Sequence, residues 1–356
     1  MEKKTVFEIF GIENRETKVS NLFAYYINTS RAFLNLLCDC AGISVVDESK
    51  KVTAKTEFPF KLEGVPNKNN FIDILVLIGD DPDKPERIIC IENKIYAGEG
   101  YYQTERYQKG MEAEFPNSQR HYIYLTKNNS AIRLSSTVFE HVRYMDLIKN
   151  IKADKNVKSL EFIDDFCEFY YEKELREFQS IEKGGSIADE RQFIDYFVWK
   201  ANTEKQYSNL FVCSGNSAKG GNPFIKLSDQ SWFVKSHLFG EKFEKCEMCL
   251  HLEGNSKNIK LHFETYPYRT IEDLKKDGVL EEYVKIRDAA RKDFADRFKD
   301  ISVDGVKMLR PASNAALTLV KFELKGKTSV QSFDKWMEIL AAIRDTVANV
   351  VAKVAE

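Results

Sequence analysis

Two apolar runs decide the fold of this chain: FIDILVLI at residues 71–78 and IICIENKI at residues 88–95. Each run holds one acidic residue among aliphatic neighbours, Asp73 in the first and Glu92 in the second. Short runs rich in Ile, Leu and Val are typical of buried strands. Because strand side chains alternate between faces, Glu92 and Lys94 point to one side and Asn93 to the other. If the two strands form a hairpin, Asp73 joins Glu92 and Lys94.

These three side chains suggest a metal site. Two carboxylates held close together on a rigid sheet repel each other, and a divalent cation compensates that charge. Carboxylate oxygens favour Mg²⁺ or Mn²⁺. Beside such a metal, Lys94 is able to orient or deprotonate an attacking water, or to offset charge that develops on a phosphoryl group. The combination suits hydrolysis of phosphodiester bonds.

The bare triplet of an acid, any residue and a lysine has little meaning by itself. Glu92 and Lys94 differ from other examples because apolar sequence flanks them and the preceding strand carries an acid, where an unpaired buried carboxylate is costly. On the residues alone, two interpretations stay open: an active site or a structural ion-pair cluster. The triplet recurs at Glu2/Lys4, Glu16/Lys18, Glu48/Lys50, Asp273/Lys275 and Glu323/Lys325.

The segments around these strands indicate the order of elements in the first half. Residues 16–40 carry apolar side chains at helical spacing with a polar interruption at residues 28–30, which predicts one broken helix or two consecutive helices. Turn-rich sequence separates the strands, and Pro116 ends the helix that follows them. The predicted order α-β-β-β-α-β comprises Glu16–Cys40, Lys51–Leu62, Asn70–Ile78, Arg87–Ile95, Glu99–Phe115 and His121–Thr126.

The remainder of the chain predicts a second α+β domain behind a helical connector. We expect a first domain at residues 1–180, a connector and linker at residues 181–222, and a C-terminal domain at residues 223–356. The linker prediction rests on Ser214–Pro223, which is rich in Gly, Ser and Asn. The predicted elements are helices at Tyr144–Ile151, Leu160–Phe178, Ile187–Ser208, Ile271–Phe298 and Val330–Val354, and strands at Phe224–Leu227, Trp232–Lys235, Lys245–His251, Lys257–Thr265, Val306–Leu309 and Ala316–Leu324.

Composition excludes several classes of protein. The chain has 356 residues, of which 43% are hydrophobic and 30% charged, and this balance is typical of a folded soluble protein and not of a disordered or collagen-like one. No apolar run approaches the ~20 residues of a membrane span. The first residues lack the apolar core of a signal peptide, and seven cysteines suit reduced thiols, so we expect a cytoplasmic protein. The net charge of −2 requires any nucleic-acid surface to be local.

A second group of candidate ligands lies in the C-terminal half. Cys246, Cys249 and His251 superficially resemble half of a zinc site. In a strand, however, Cys246 and Cys249 face opposite sides, and no second cysteine pair follows at zinc-ribbon spacing. We therefore interpret these cysteines as buried thiols.

Several segments of the first half follow the pattern of a known family. They are Glu16–Tyr25, Ile91–Ile95, Gln103 with Arg106 and Tyr107, Tyr122–Thr126, and Tyr144–Leu147. In these segments the chain resembles the PD-(D/E)xK nuclease superfamily, and in particular a bacterial branch with the central motif Ile-Glu-Asn-Lys. The resemblance covers roughly Lys4 to Glu177 and implies a restriction-endonuclease-like α-β-β-β-α-β core with a mixed sheet. The chain departs from the branch at Val19, where the branch often has a His.

The resemblance implies a role for each acid of the candidate site. Asp73 and Glu92 are expected to bind a Mg²⁺ or Mn²⁺ cofactor, and Lys94 is expected to be the catalytic lysine. Glu16 is expected to act as a third metal ligand, or to orient water, from the first helix. For Glu16 the alternative is an ordinary acid in the first turn of a helix, where it complements the helix dipole.

The helix after the central motif supplies further candidates. Gln103 and Tyr107 stand four residues apart and so share a helix face, from which both can reach the scissile phosphate. The alternatives are core packing for Tyr107 and simple solvent exposure for Gln103. Binding to a duplex also requires basic side chains around the cleft. The candidates are Arg106, Lys109, Lys127 and Arg133.

These inferences predict a metal-dependent nuclease that hydrolyses nucleic acid, with DNA favoured over RNA, in bacterial or phage defence. The defence role is an analogy at the level of fold. The alternative is a catalytically silent nuclease-fold protein that binds nucleic acid or a protein partner. The C-terminal domain is expected to serve substrate selection, dimerisation or regulation. Cutting both strands of a duplex with one active site per chain would call for a homodimer.

Overall fold

The computed structural model describes residues 4–12, 15–62, 70–95, 98–100, 102–127, 129, 134–216, 222–235, 245–253, 258–266, 268–298, 301–311, 317–324 and 332–355. The chain forms two compact units, Met1–Ser186 (unit 1) and Ile187–Glu356 (unit 2). Within the ranges just given, no helix combines the length and the apolar character that crossing a membrane requires.

The described part of unit 1 is built on one mixed sheet of five strands in the order β1-β2-β3-β4-β5. β1, β2 and β3 pair antiparallel, whereas β3, β4 and β5 pair parallel. Parallel neighbours need a crossover connection, and helix α4 provides it between β3 and β4. The strands are β1 (Val52–Phe60), β2 (Asn70–Ile78), β3 (Arg87–Lys94), β4 (Gln119–Thr126) and β5 (Phe139–Arg143).

Helices cover both faces of this sheet. The predicted broken helix is confirmed: Ser30 has an extended backbone between α2 and α3, and its hydroxyl accepts a hydrogen bond from Phe33 N. The predicted helix Leu160–Phe178 begins at Ile163 and runs to Glu182 through a π-helical turn at Glu168–Glu172. The helices are α1 (Val6–Phe10), α2 (Glu16–Thr29), α3 (Arg31–Cys40), α4 (Gln103–Glu114), α5 (Tyr144–Ala153), α6 (Lys155–Lys158), α7 (Ile163–Cys167) and α8 (Lys173–Glu182).

Two apolar clusters hold these layers together. On one face, Phe23 of α2, Tyr144 of α5 and Phe166 of α7 pack on aliphatic residues of the central strands. On the other face, Tyr107 and Met111 of α4 cover a second cluster that includes Cys90 of β3. The order α-β-β-β-α-β and the restriction-endonuclease-like fold are confirmed, with α1, β5 and the short helix α6 as additions that the sequence did not predict.

Unit 2 has a separate antiparallel sheet. Its described strands run in the order β11-β12-β10-β9-β7-β6, and β8 pairs with β9 outside this path. On β9 and β10, buried apolar residues alternate with polar ones, so one face of the sheet is apolar and the other polar. The strands are β6 (Leu210–Asn216), β7 (Pro223–Asp229), β8 (Phe233–Lys235), β9 (Lys245–Glu253), β10 (Asn258–Tyr266), β11 (Val306–Leu309) and β12 (Thr318–Leu324).

The structure differs from expectation at two places in unit 2. Residues 214–216 of the expected linker belong to β6, which pairs with β7, while residues 217–221 lie outside the described residues. The single helix predicted at Ile271–Phe298 is broken, because Gly278 has a φ of 73° that ends the first helix. The helices are α9 (Glu190–Thr203), α10 (Ile271–Lys276), α11 (Leu280–Arg297) and α12 (Phe333–Ala355).

Candidate active site

Asp73, Glu92 and Lys94 meet where β2 and β3 run side by side. The pairing of Ile74 with Ile91 places Asp73 across from Glu92. Glu92 is fully buried, and the Nζ atom of Lys94 forms an ion pair with its Oε1 atom. Asp73 is half-buried, and its Oδ2 atom accepts a hydrogen bond of 2.8 Å from the backbone N–H of Asn93. The structure therefore brings these three side chains together on one face.

Glu16 reaches the same end of the sheet from the first turn of α2. Its Oε1 atom accepts a hydrogen bond of 2.9 Å from the backbone N–H of Ile95, directly after β3. Burial raises the pKa of Asp73, and the negative charge of Glu16 adds to that rise. Glu16 thus lies beside the other acids and is tied to the strand that carries Glu92 and Lys94.

The charges at this site do not balance. Burial raises the pKa of Glu92 to about 8, and the charge of Asp73 adds to that rise while the ammonium of Lys94 opposes it. Burial also raises the pKa of Asp73. For Lys94, burial lowers the pKa, but the attraction of Glu92, Asp73 and Glu16 outweighs it and the net shift is upward. Three carboxyl groups therefore face one lysine.

This arrangement fits a hard divalent cation. The Oε2 atom of Glu92 is buried and has no hydrogen-bond donor among the described residues. A buried carboxylate oxygen without a donor is costly, and a metal ion removes that cost. The donor set of Asp73, Glu92 and Glu16 consists of carboxylate oxygens alone, which are the ligands that Mg²⁺ and Mn²⁺ prefer.

Gln103 and Tyr107 lie together on α4, as their spacing predicted. The Nε2 atom of Gln103 donates a hydrogen bond of 2.7 Å to the Tyr107 hydroxyl, which in turn donates to the carbonyl of Phe71 on β2. Tyr107 is buried, and burial raises its pKa, with the negative charges of Glu92 and Asp73 adding to the rise. In this arrangement the Tyr107 hydroxyl ties α4 to the strand that carries Asp73.

Each basic candidate that the structure describes contacts another side chain of unit 1. Arg106 donates a hydrogen bond of 3.0 Å from Nη1 to Oδ1 of Asn70, at the start of β2. Lys109 is exposed and forms an ion pair with Glu105 one turn earlier on α4. Arg133 lies outside the described residues.

Lys127 is a correction to the expected phosphate contacts. It is only 2% exposed and pairs with Glu174 of α8. Burying a charge requires a partner of this kind, and a buried, paired ammonium is not available to a phosphate at the surface. No local pattern predicts this pair, because Glu174 is 47 residues away.

A polar network behind β3 was not recognised from the sequence as part of the site. Asn93 points away from Glu92 and donates a hydrogen bond of 3.1 Å from Nδ2 to Oγ of Ser20. The Tyr144 hydroxyl donates to Oδ1 of Asn93 over 2.6 Å, and Ser20 Oγ donates to the carbonyl of Glu16 over 2.9 Å. The available signals were a polar Asn inside an apolar strand and a Ser one helical turn after Glu16. The network links β3 to the helix that carries Glu16.

Comparison with known proteins identifies a family for the first half of the chain. The family model of the PD-(D/E)XK nuclease superfamily matches residues 5–183, which is half of the chain and includes every acid of the candidate site. No curated protein and no solved structure matches the chain. The chain therefore belongs to the PD-(D/E)XK nuclease superfamily.

Proposed function

We propose that the protein is a metal-dependent nuclease that hydrolyses phosphodiester bonds of nucleic acid. The observation that carries this proposal is the convergence of Asp73, Glu92 and Lys94 on one face of the unit 1 sheet. The three carboxyl groups that face a single lysine there, together with a buried carboxylate oxygen that has no donor, support a site built for a cation.

We propose Mg²⁺ or Mn²⁺ as the cofactor, with Asp73, Glu92 and Glu16 as its ligands. Such an ion, when bound, supplies a nucleophilic water at neutral pH and stabilises negative charge on the phosphoryl group. The hydrogen bonds from Asn93 N to Asp73 and from Ile95 N to Glu16 fix the orientation of two of these carboxylates. Orienting groups of this kind preserve ligand geometry.

Lys94 is the proposed catalytic lysine. Its ammonium contacts Glu92 and is attracted by Asp73 and Glu16 as well, so it is held at the place where the carboxylates converge. From that position it would orient the attacking water and offset charge that develops on phosphate oxygens. Gln103 and Tyr107 are proposed to act from α4. The Tyr107 hydroxyl ties the helix to β2, and Gln103, at the start of the helix, is the proposed contact to the neighbouring phosphate.

We propose DNA as the substrate, in bacterial or phage defence, on the ground of the resemblance to a bacterial branch of the superfamily. Arg106 and Lys109 of α4, together with Arg133, remain the proposed phosphate contacts, and Lys127 is withdrawn from that set because it is buried and paired with Glu174. A homodimer would place two active sites on a duplex. Seven free cysteines are compatible with a reducing compartment such as the cytoplasm. Unit 2 is proposed to select the substrate, to form the dimer or to regulate cleavage.

One observation favours a second candidate function. The close ion pair between Lys94 and Glu92 is also what a purely structural cluster would contain. In that case the protein binds nucleic acid or a protein partner through the nuclease fold without cutting.

A cleavage assay separates the two functions. Purified full-length protein is incubated with plasmid DNA, single-stranded DNA and RNA in Mg²⁺, Mn²⁺ or EDTA, next to the variant Glu92→Gln. The matched control is Glu140→Gln, which changes an exposed Glu on β5 of the same sheet. The nuclease function predicts metal-dependent cutting that is lost in Glu92→Gln and kept in Glu140→Gln. Absence of cutting on every substrate, together with absence of Mn²⁺ binding by calorimetry, would support the silent protein.

A further inference from the structure

The polar face of the unit 2 sheet carries a second buried cluster, separate from the residues assigned to the nuclease site. Glu247, Cys249 and His251 alternate along β9 and share this face. Cys249 pairs with His262 of β10, and Glu247 pairs with Glu264. Each of these five side chains is buried.

Three of these residues have the geometry of a metal-binding group. One ligand atom from each of Glu247, Cys249 and Glu264 lies within 4.8 Å of the other two. Two carboxylate oxygens and a sulfur at such separations can reach one ion with small side-chain adjustments. All three come from the paired strands β9 and β10, which hold them at a fixed spacing.

Two buried carboxylates face each other in this cluster. Glu247 and Glu264 are 3% and 2% exposed, and they are direct cross-strand partners. Like charges in that position repel each other and destabilise the strand pair. Lys226 of β7 forms an ion pair with Glu264, and the Ser228 hydroxyl donates a hydrogen bond of 3.1 Å to Oε2 of Glu247. A metal ion bound by both carboxylates would offset their mutual repulsion.

Two histidines provide an independent sign of a ligand. His262 Nδ1 lies 3.2 Å from Oε1 of Glu264, and the ring of His251 stacks on the ring of His262 with centroids 4.7 Å apart. His251 is only 8% exposed, and its Nδ1 atom has no hydrogen-bond partner in the described part of the chain. A buried ring nitrogen without a partner calls for an explanation, and nitrogen of imidazole is a common ligand of transition metals.

We propose that Glu247, Cys249 and Glu264 bind a transition-metal ion, Zn²⁺ in the first instance, with a histidine of the same cluster as the fourth ligand. A thiolate selects Zn²⁺ over Mg²⁺ and Ca²⁺, which prefer oxygen ligands alone. Four protein ligands in a buried place make a closed, structural site. The ion would join β9 to β10, and Lys226 would orient Glu264 from β7.

Cobalt spectroscopy on the full-length protein tests this site directly. Protein freed of metal by a chelator is titrated with Co²⁺ and then with Zn²⁺. A thiolate ligand gives a thiolate-to-cobalt charge-transfer band, which carboxylates in unit 1 cannot produce. We expect the band in wild type and in Glu92→Gln, and its disappearance when Zn²⁺ displaces Co²⁺. Its absence from folded wild-type protein would overturn the proposal.

Variants assign the band to this cluster. We expect Cys249→Ser to abolish it and Glu247→Gln to weaken Co²⁺ affinity by at least about tenfold. The matched control is Cys246→Ser, which changes a buried cysteine on the opposite, apolar face of β9 and should keep the band. If Cys249→Ser does not fold, Glu247→Gln and the wild-type titration still decide the question. A band that survives in folded Cys249→Ser would overturn the assignment.

Discussion

The two sheets of this protein each carry a pair of neighbouring carboxylates next to a lysine, but in different surroundings. In unit 1, Asp73 is only half-buried, and backbone N–H groups orient Asp73 and Glu16. In unit 2, Glu247 and Glu264 are almost wholly buried, with histidine and cysteine as neighbours. Oxygen ligands at a partly exposed site suit chemistry on a bound substrate. A buried site with carboxylate, thiol and imidazole ligands suits a structural ion.

The largest effect on stability is expected from the lysine of unit 2. Lys226→Met removes the ammonium that forms an ion pair with buried Glu264 and leaves the carboxylate with weaker compensation from His262. We expect the free energy of unfolding of unit 2 to fall by about 3–5 kcal/mol, as measured by urea denaturation. Lys321→Met, a half-buried lysine on β12, is the control and should change it much less. If the two substitutions lowered the free energy of unfolding equally, the Lys226–Glu264 pair would have no special role in stability.

A smaller effect is expected where α4 packs on the unit 1 sheet. A Cβ atom at Gly110 would lie 2.2 Å from Cδ2 of Phe60, so Gly110→Ala must displace the helix or the ring. We expect unit 1 to lose about 1–3 kcal/mol in a urea titration, and cleavage to fall because Tyr107 on α4 ties the helix to β2. Gly98→Ala, whose Cβ would meet nothing within 4 Å, should be neutral. A fully stable and active Gly110→Ala would show that α4 has no positioning role.

Substitution of Tyr144, in the hydrogen-bond network behind β3, separates an effect on the active site from an effect on overall stability. Tyr144→Phe deprives the buried Oδ1 atom of Asn93 of its donor, at a cost of about 1–3 kcal/mol. The control is Tyr26→Phe, which removes an equally buried hydroxyl that donates to the carbonyl of Glu161. We expect both variants to lose stability in thermal unfolding and Tyr144→Phe alone to lose cleavage at saturating substrate. Equal cleavage rates of Tyr144→Phe and Tyr26→Phe would mean that the hydrogen bond to Asn93 does not position β3 for cleavage.

The ion pair between Glu8 and Lys173 gives a partly exposed reference for the two buried clusters. The hydrogen bond that Lys173 donates to Glu8 lowers the pKa of Glu8 from 4.5 to about 2, and a hydrogen bond from the backbone N–H of Thr5 adds to this effect. The stabilisation is therefore complete above pH 4.5 and is lost as the pH falls through about 2. We expect Lys173→Met to cost about 1 kcal/mol at neutral pH and progressively less in acid, by urea denaturation at several pH values. A cost independent of pH would contradict this assignment.

The central strands β2 and β3 were predictable because their local sequence alone is typical of buried strands. Phe71–Ile78 and Ile88–Ile95 are apolar except at a few positions, and alternation alone fixes the side on which Glu92 and Lys94 lie. The strand β5 could not be recognised, because its five residues FEHVR contain only two apolar side chains and its pairing with β4 makes it a strand. The break at Gly278 was visible as a glycine but was outweighed by the helical pattern around it.

The roles of some site residues could not be predicted from the sequence, because they depend on contacts between distant segments. Lys127 follows a strand and suggests a surface cation, until the fold places Glu174 against it. The cluster of unit 2 requires the register of β9 with β10, which no local pattern specifies. Cys246 and Cys249 were expected to face opposite sides, and the register confirms it, but the ligands that accompany Cys249 come from another strand.

Single-turnover cleavage by Lys94→Met tests the central claim most directly. The substitution keeps most of the apolar stem of the side chain and removes the charge that faces Glu92. We predict a variant that folds and still binds Mn²⁺ but cuts at least about 10²-fold more slowly than wild type, while Lys55→Met, at an exposed lysine of β1, cuts normally. Cleavage by Lys94→Met at the wild-type rate would contradict the assignment of Asp73, Glu92 and Lys94 as the active site.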